Sequence, residues 1–296
     1  MKNWYNKSTI CYEMFFTSEQ ITRETAFLKP KHQRKPLEQS MFRYIKIFKT
    51  TGVPYFIHNY LQCNNKGFLV NVYASLAKYG RGIPDFGTQI HLKKDEIDKW
   101  KITHHYEITA YDCLIDIDSP DHESMTHAKH ATLQVMSFFD EYNIPYYLRF
   151  SGMGYHIVIP YEAFKQYGWH FNPDSDYENS IYYHYNLILD YLHNNISELV
   201  DTDLHDSRRI TKVPYSLVFY DDITFVCWPF KTKKEFANHD YSDYRILNPY
   251  LSFKGFENCY HRNQTLFNQD FVLESTTTNF LKKAKVIKDG ETKKNS

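Results

Sequence analysis

Apolar and polar positions alternate along "YDCLIDIDS", Tyr111 to Ser119, and predict a β-strand. With period two, Cys113, Ile115 and Ile117 face one layer while Leu114, Asp116 and Asp118 face the other. Past this strand, Met125, Ala128, Val135, Met136 and Phe139 recur at helical spacing. Ser119 suits the N-cap, Pro120 the first helical position, and Asn143 with Pro145 ends the run. "YYLRF" reads as a strand, "SGMG" as a turn and "YHIVIP" as a second strand. "NSIYYHYNLILDYLHNNISELV" reads as another helix, with Ile181, Tyr185, Ile188, Leu192 and Ile196 on one stripe. "RITKVPYSLV" and "ITFVCWPF" read as extended. Strand, helix, hairpin, helix, strand is the order of an α+β sheet with helices on one face, of ferredoxin-like or RNA-recognition type.

The same pattern divides the chain. Residues 1–40 are polar and end in "KPKHQRKPLEQS", whose prolines among basic residues predict an arm or linker. Residues 41–235 form the main unit, opening with "FLVNVYASLAKY" and "TQIHL" around the breaker-rich loop "GRGIPDFG". Residues 236–296 are less periodic and end in a Lys-rich, solvated tail, "LKKAKVIKDGETKKNS".

Composition narrows the function classes. The 296 residues are 42% hydrophobic and 24% charged, enough apolar content for a sizeable core. Lys plus Arg and Asp plus Glu both number 35, which argues against a protein held on nucleic acid by bulk positive charge and leaves room for a local basic groove. The 26 Tyr and 22 Phe read first as packing residues, with stacking on exposed bases as the other use. Cys11, Cys63, Cys113, Cys227 and Cys259 form no CxxC pair, so no zinc is predicted, and a reduced, cytoplasmic chain is. "MKNWYNKSTI CYEMFF" lacks the apolar stretch of a secretory signal, and no run approaches the ~18 apolar residues of a membrane span, so Asn6, Asn195 and Asn263 read as accidental glycosylation matches.

Asp116 and Asp118, on one strand face, have Cα atoms roughly 6.5–7 Å apart. Repulsion between such carboxylates is relieved by hard cations, which favour oxygen ligands, and two metals about 3.5–4 Å apart clamp the attacking and leaving oxygens of phosphoryl transfer. The bland alternative makes Asp118 a helix cap and Asp116 a lysine partner. In "LRFSGMGYHIVIP", glycines allow close backbone approach, the Ser151 hydroxyl and exposed N–H groups can cradle phosphate, and His156 and Arg149 can add donors; an ordinary hairpin turn is the alternative. "VDTDLHDSRRITKVPYS" supplies a further acid, Asp201, and the cations Arg208, Arg209 and Lys212; the alternative is a solvated loop whose charges pair among themselves. In the strand that follows, Ile210 and Lys212 share one face, Thr211 and Val213 the other.

Taken together, "LIDID", "SGMGYH", "VD" and "RRITKVPYS" resemble, in order and spacing, the motifs of the archaeo-eukaryotic primase superfamily, over roughly residues 105–220. The resemblance implies an RNA-recognition-motif-like palm sheet with helices on one face, joined to a second small α/β N-terminal unit. It implies template-directed nucleotidyl transfer on single-stranded DNA, with Asp116, Asp118 and Asp201 binding two Mg²⁺ or Mn²⁺. Ser151, Gly152 and His156 would hold the phosphates of a nucleoside triphosphate, with Lys212 and Arg209 beside them. Asp203 competes with Asp201 for the third ligand position; Asp201 follows Val200, as the pattern asks. The hairpin lacks the basic residue often found in it. No Cys or His zinc cluster is present, which points to a stand-alone primase-polymerase, encoded by a mobile element or virus, rather than a replicative subunit.

Three readings compete: a gap-filling repair polymerase of the same superfamily, a two-metal nuclease, and a catalytically inactive nucleic-acid-binding module. The run "LIDIDS" is too apolar and β-branched for the helix end of a homing endonuclease. No G-x-x-x-x-G-K-[ST] occurs, so a helicase would be a separate partner.

Overall fold

The computed structural model describes residues 23, 25–28, 41–44, 71–79, 108–119, 125–172, 174–207, 209–214, 216–220, 223–230, 232–240 and 273–287. The expected elements at "TQIHL" and "GRGIPDFG", Arg208, and the Lys-rich end beyond residue 287 lie outside them. The chain is mixed α+β, built on small antiparallel sheets.

Strands β1 (Thr25–Leu28), β2 (Met41–Tyr44) and β3 (Asn71–Ser75) pair in the order β2-β1-β3, and β9 (Ile210–Lys212) adds itself to β3. β1 therefore sits between two partners although it falls in the segment read as an N-terminal arm. Arg23 explains the anchoring: its guanidinium meets Asp112 Oδ2 at 2.6 Å and donates to the carbonyls of Ser75 and Leu76. Lys78 Nζ approaches the other Asp112 oxygen at 3.4 Å, so this buried carboxylate has the charge partners that burial demands. Strands β4 (Ala77–Tyr79) and β5 (Ile108–Tyr111) form a separate antiparallel pair.

The central sheet has the order β6-β8-β7, with β6 (Cys113–Asp118), β7 (Tyr147–Phe150) and β8 (Gly154–Ile159). β6 and β7 both run antiparallel to β8 and thus parallel to each other, joined through helix α1 (Met125–Glu141). α1 packs on β6 and β8 through Ala128, Val135, Met136 and Phe139, as the helical spacing predicts. Its described residues begin at Met125, and the expected start at Pro120 lies outside the described residues; the Ser119 N–H donates to the Met153 carbonyl at 3.0 Å.

Helix α2 (Ile181–Asn195) carries the predicted stripe on its buried side and is capped by Ser180, whose Oγ accepts from the Tyr183 N–H. After α2 the chain returns to β6, where Val200 bridges Ile117 in antiparallel sense. The predicted extended run "RITKVPYSLV" is broken at 213–216 by a turn in which the Ser216 N–H donates to the Val213 carbonyl. β10 (Leu217–Tyr220) and β11 (Ile223–Val226) then form a hairpin. Past Val226 the chain continues beside β7: the Phe150 N–H donates to the Trp228 carbonyl at 2.8 Å and the Phe230 N–H to the Leu148 carbonyl at 2.9 Å.

One core unites these parts. Ile115, Ile117, Ile157 and Leu148 from the sheet meet Phe139, Ile188 and Leu189 from the helices. α3 (Lys233–Asn238) adds Phe236, and α4 (Leu273–Lys283), inside the predicted C-terminal extension, adds Phe280 and Leu281. Phe280 meets Phe139 edge-on at 5.7 Å between ring centroids, the geometry aromatic pairs prefer. Among the described residues, no helix is long and apolar enough to cross a membrane.

Candidate functional site

The register of the central sheet aligns polar residues on one face. Asp116 stands opposite His156, and His156 opposite Arg149, giving one row across β6, β8 and β7. Asp118 stands opposite Gly154 in the next row on the same face. The period-two reading of "LIDID" is met: Cys113, Ile115 and Ile117 are fully buried on the other side, while Asp116 is half-buried and Asp118 exposed.

Asp201 arrives from the far side of β6. Its N–H donates to the Asp116 carbonyl at 2.9 Å, just beyond the Val200–Ile117 bridge. Two contacts from α2 fix this approach. His193 Nδ1 donates to the Val200 carbonyl at 2.8 Å. Asn186 clasps His205, accepting from its N–H at 2.8 Å and donating to its carbonyl at 3.1 Å. Asp203 has a left-handed backbone, φ 53°, and lies 3.5 Å from the Asn186 amide, so the backbone sets Asp201 against Asp116 and turns Asp203 toward α2.

The acids feel one another. Burial, then the charges of Asp116 and Asp201, push the Asp118 carboxyl up to about 6. Burial and Asp116 also raise Asp201, whose carboxylate meets Arg209 Nη2 at 3.8 Å. Burial alone would raise Asp116; His156, then Lys212 and Arg209, overcome it and hold this acid low. Lys212, on β9, thus lies within electrostatic reach of both Asp116 and Asp118.

These residues suit a divalent cation by chemistry. Asp116 Oδ1 is shut off from solvent and has no well-aligned hydrogen bond, and the neighbouring carboxylates repel one another. Among the described residues, no three or more His, Cys, Asp or Glu side chains are grouped closely enough to hold a metal ion as they stand. The arrangement is one of converging acids whose crowding a cation would relieve.

The turn between β7 and β8 borders the acids. The Ser151 N–H donates to the Gly154 carbonyl at 2.9 Å, and Gly152 has φ 101°, a conformation glycine adopts without penalty. A Cβ on Gly154 would lie 2.1 Å from the Ile117 carbonyl oxygen and 2.8 Å from Asp118 Oδ1. Gly154 is therefore what lets β8 press against the Asp118 carboxylate. Ser151 Oγ and Arg209 Nε are shut off from solvent without a hydrogen-bond partner.

His156 lies beside Asp116 in the central sheet. It is 3% exposed, and its Nε2 lies 3.2 Å from Asp116 Oδ1. Burial pushes its pKa down to about 4, so the ring is neutral at pH 7. Its other nitrogen faces Arg149 Nε at 3.2 Å and Thr211 Oγ1 at 3.1 Å. Thr211 was not singled out by the motifs; the signal was its place on β9, facing opposite to Lys212.

No protein-family model matches the chain, and no curated protein is found similar to it.

Proposed function

We propose that the chain is a template-directed nucleotidyltransferase of archaeo-eukaryotic primase type, a primase-polymerase that makes or extends primers on single-stranded DNA. The observation that carries this reading is the convergence of Asp116, Asp118 and Asp201, from segments far apart in sequence, beside the Ser151–Gly154 turn. The element order supports it too. β6, α1, β7, β8, α2 and the Val200 bridge follow one another, with Val200, β6, β8 and β7 adjacent in that order, as in an RNA-recognition-type palm.

In this reading Asp116, Asp118 and Asp201 hold two Mg²⁺ or Mn²⁺. When bound, such ions activate a 3′-hydroxyl and neutralise the triphosphate and the departing pyrophosphate. The protein's own part is positioning and charge. Ser151 Oγ, buried at this turn and without a hydrogen-bond partner, would be the donor to a phosphate oxygen. Lys212 and Arg209 face the acids and add positive charge for the triphosphate. Single-stranded DNA and nucleoside triphosphates are the ligands, and an unwinding enzyme would be a separate chain.

The test is synthesis on an unprimed single-stranded template with labelled ribo- or deoxynucleotides and Mn²⁺, for the wild type and Asp116→Ala. The expected result is metal-dependent product that the substitution abolishes. Extension of a supplied primer without priming indicates the gap-filling variant. Template degradation without incorporation overturns the proposal in favour of a nuclease, and template binding with neither activity in favour of a binding module.

A further inference from the structure

We propose that Arg149 and Thr211 are positioning residues that act through His156 on the Asp116 carboxylate, and so set the affinity of the acidic site for divalent cations. This inference rests on the two-metal reading of the site. It departs from the motif-based assignment of His156 to phosphate.

The argument is one of donors and acceptors. Arg149 is a guanidinium, which donates and never accepts. Its Nε, 3.2 Å from His156 Nδ1, requires that nitrogen to be the acceptor. Its Nη2 donates to Thr211 Oγ1 at 2.6 Å, and the Thr211 hydroxyl, 3.1 Å from the same Nδ1, has its own hydrogen left to donate there. The Arg149 contact demands an unprotonated Nδ1, and the Thr211 contact is compatible with it. In the neutral ring the proton then resides on Nε2, which is the nitrogen 3.2 Å from Asp116 Oδ1. Arg149, Thr211 and His156 thus form a directed chain across β7, β9 and β8, and its last nitrogen lies 3.2 Å from Asp116 Oδ1 on β6. All but Asp116 are less than a tenth exposed, so water does not compete for these contacts.

The chain comes from two sheets. Arg149, His156 and Asp116 share a row of the central sheet, while Thr211 descends from β9 of the N-terminal sheet. Aiming the acid therefore depends on how the two sheets meet. Hydrogen-bonded partners behind a metal ligand commonly change metal affinity 10–100-fold when removed.

The experiment uses the full chain. Nitrogen-15 spectra of the cation-free protein report which His156 nitrogen carries the proton, and Mn²⁺ titration followed by electron paramagnetic resonance reports affinity without turnover. Wild type is expected to show protonated Nε2 and bare Nδ1. Thr211→Val with Arg149→Met is expected to mix the two tautomers and weaken Mn²⁺ about 10–100-fold. Thr211→Ser alone is expected to keep both properties. Nucleotide KM measured at saturating Mn²⁺ should move far less than Mn²⁺ affinity. Circular dichroism checks that each variant folds; if the double variant does not, Thr211→Val alone supplies the comparison. A wild-type proton on Nδ1, or unchanged tautomer and Mn²⁺ affinity in the folded variant, overturns the proposal. A nucleotide KM that rises while Mn²⁺ affinity holds overturns it in favour of the phosphate role. Wild type that binds no Mn²⁺ sinks the two-metal reading itself, and the spectra still report on the hydrogen-bond chain.

Discussion

Gly154→Ala isolates the contact on which the site geometry depends. The new Cβ would stand 2.1 Å from the Ile117 carbonyl oxygen and 2.7 Å from Asp118 Cα, where real Cβ contacts stay beyond 3.0 Å. Both neighbours are backbone, so no side chain can swing aside; β6 and β8 must part by about 1 Å at this rung, a large displacement in a close-packed interior. Overpacking of this kind costs typically 1–3 kcal/mol, and each ladder hydrogen bond it breaks adds about 1 kcal/mol. The expected loss is about 2–4 kcal/mol, a large fraction of the stability of an ordinary domain. Because the rung that opens holds Asp118, synthesis should fall about a hundredfold, the effect of a 1 Å misplacement at a reacting centre. Urea unfolding followed by circular dichroism measures the first effect, and primer extension at saturating Mn²⁺ the second. Gly168→Ala is the control: Gly168 has positive φ, 63°, but nothing lies within 4 Å of its added Cβ, so only the left-handed penalty of about 1–2 kcal/mol applies. A Gly154→Ala protein as stable as Gly168→Ala, with wild-type extension, would refute the reasoning.

Four further outcomes are expected. Asp201→Asn should lower synthesis at least a hundredfold while Asp203→Asn leaves it near wild type, because only Asp201 is bound through its backbone to Asp116; equal losses would reverse the choice. Asp118, raised to about 6, binds protons more readily folded than unfolded, so it subtracts stability as pH rises from about 4 through 6; cation-free Asp118→Asn should therefore be more stable than wild type at pH 7, by at most about 1 kcal/mol given its exposure, and no more stable at pH 4. His205 donates Nε2–H to the Leu114 carbonyl at 2.9 Å, and burial lowers its pKa to about 3. The unfolded chain then takes up the extra proton, stability falls as pH drops from about 6.5 toward 3, and His205→Gln should flatten that slope in acid-unfolding curves. Phe280→Ala should cost about 3–5 kcal/mol in thermal or urea unfolding, since the fully buried ring packs on Phe138 and Phe139; a neutral effect would detach α4 from the core.

The amino-acid sequence by itself determined the local elements and their faces. The period of two along Cys113–Asp118 assigned Asp116 and Asp118 to one side, and the helical spacing of Ala128, Val135 and Phe139 assigned α1 its buried side. These are near-neighbour properties, carried by steric preference and by the separation of apolar from polar side chains. The same reading missed the strand inside 1–40 and the docking of α4. β1 is held between β2 and β3, and Phe280 finds its partners on α1.

What only the tertiary structure decided are the pairings between distant segments. Asp201 reaches Asp116 through the bridge of Val200 to Ile117, Asp112 finds Arg23 across 89 positions, and Thr211 meets His156 because β9 joins β3. No periodicity encodes such contacts. Their formation depends on register and on how two sheets meet, and both are settled by burying the whole apolar surface at once.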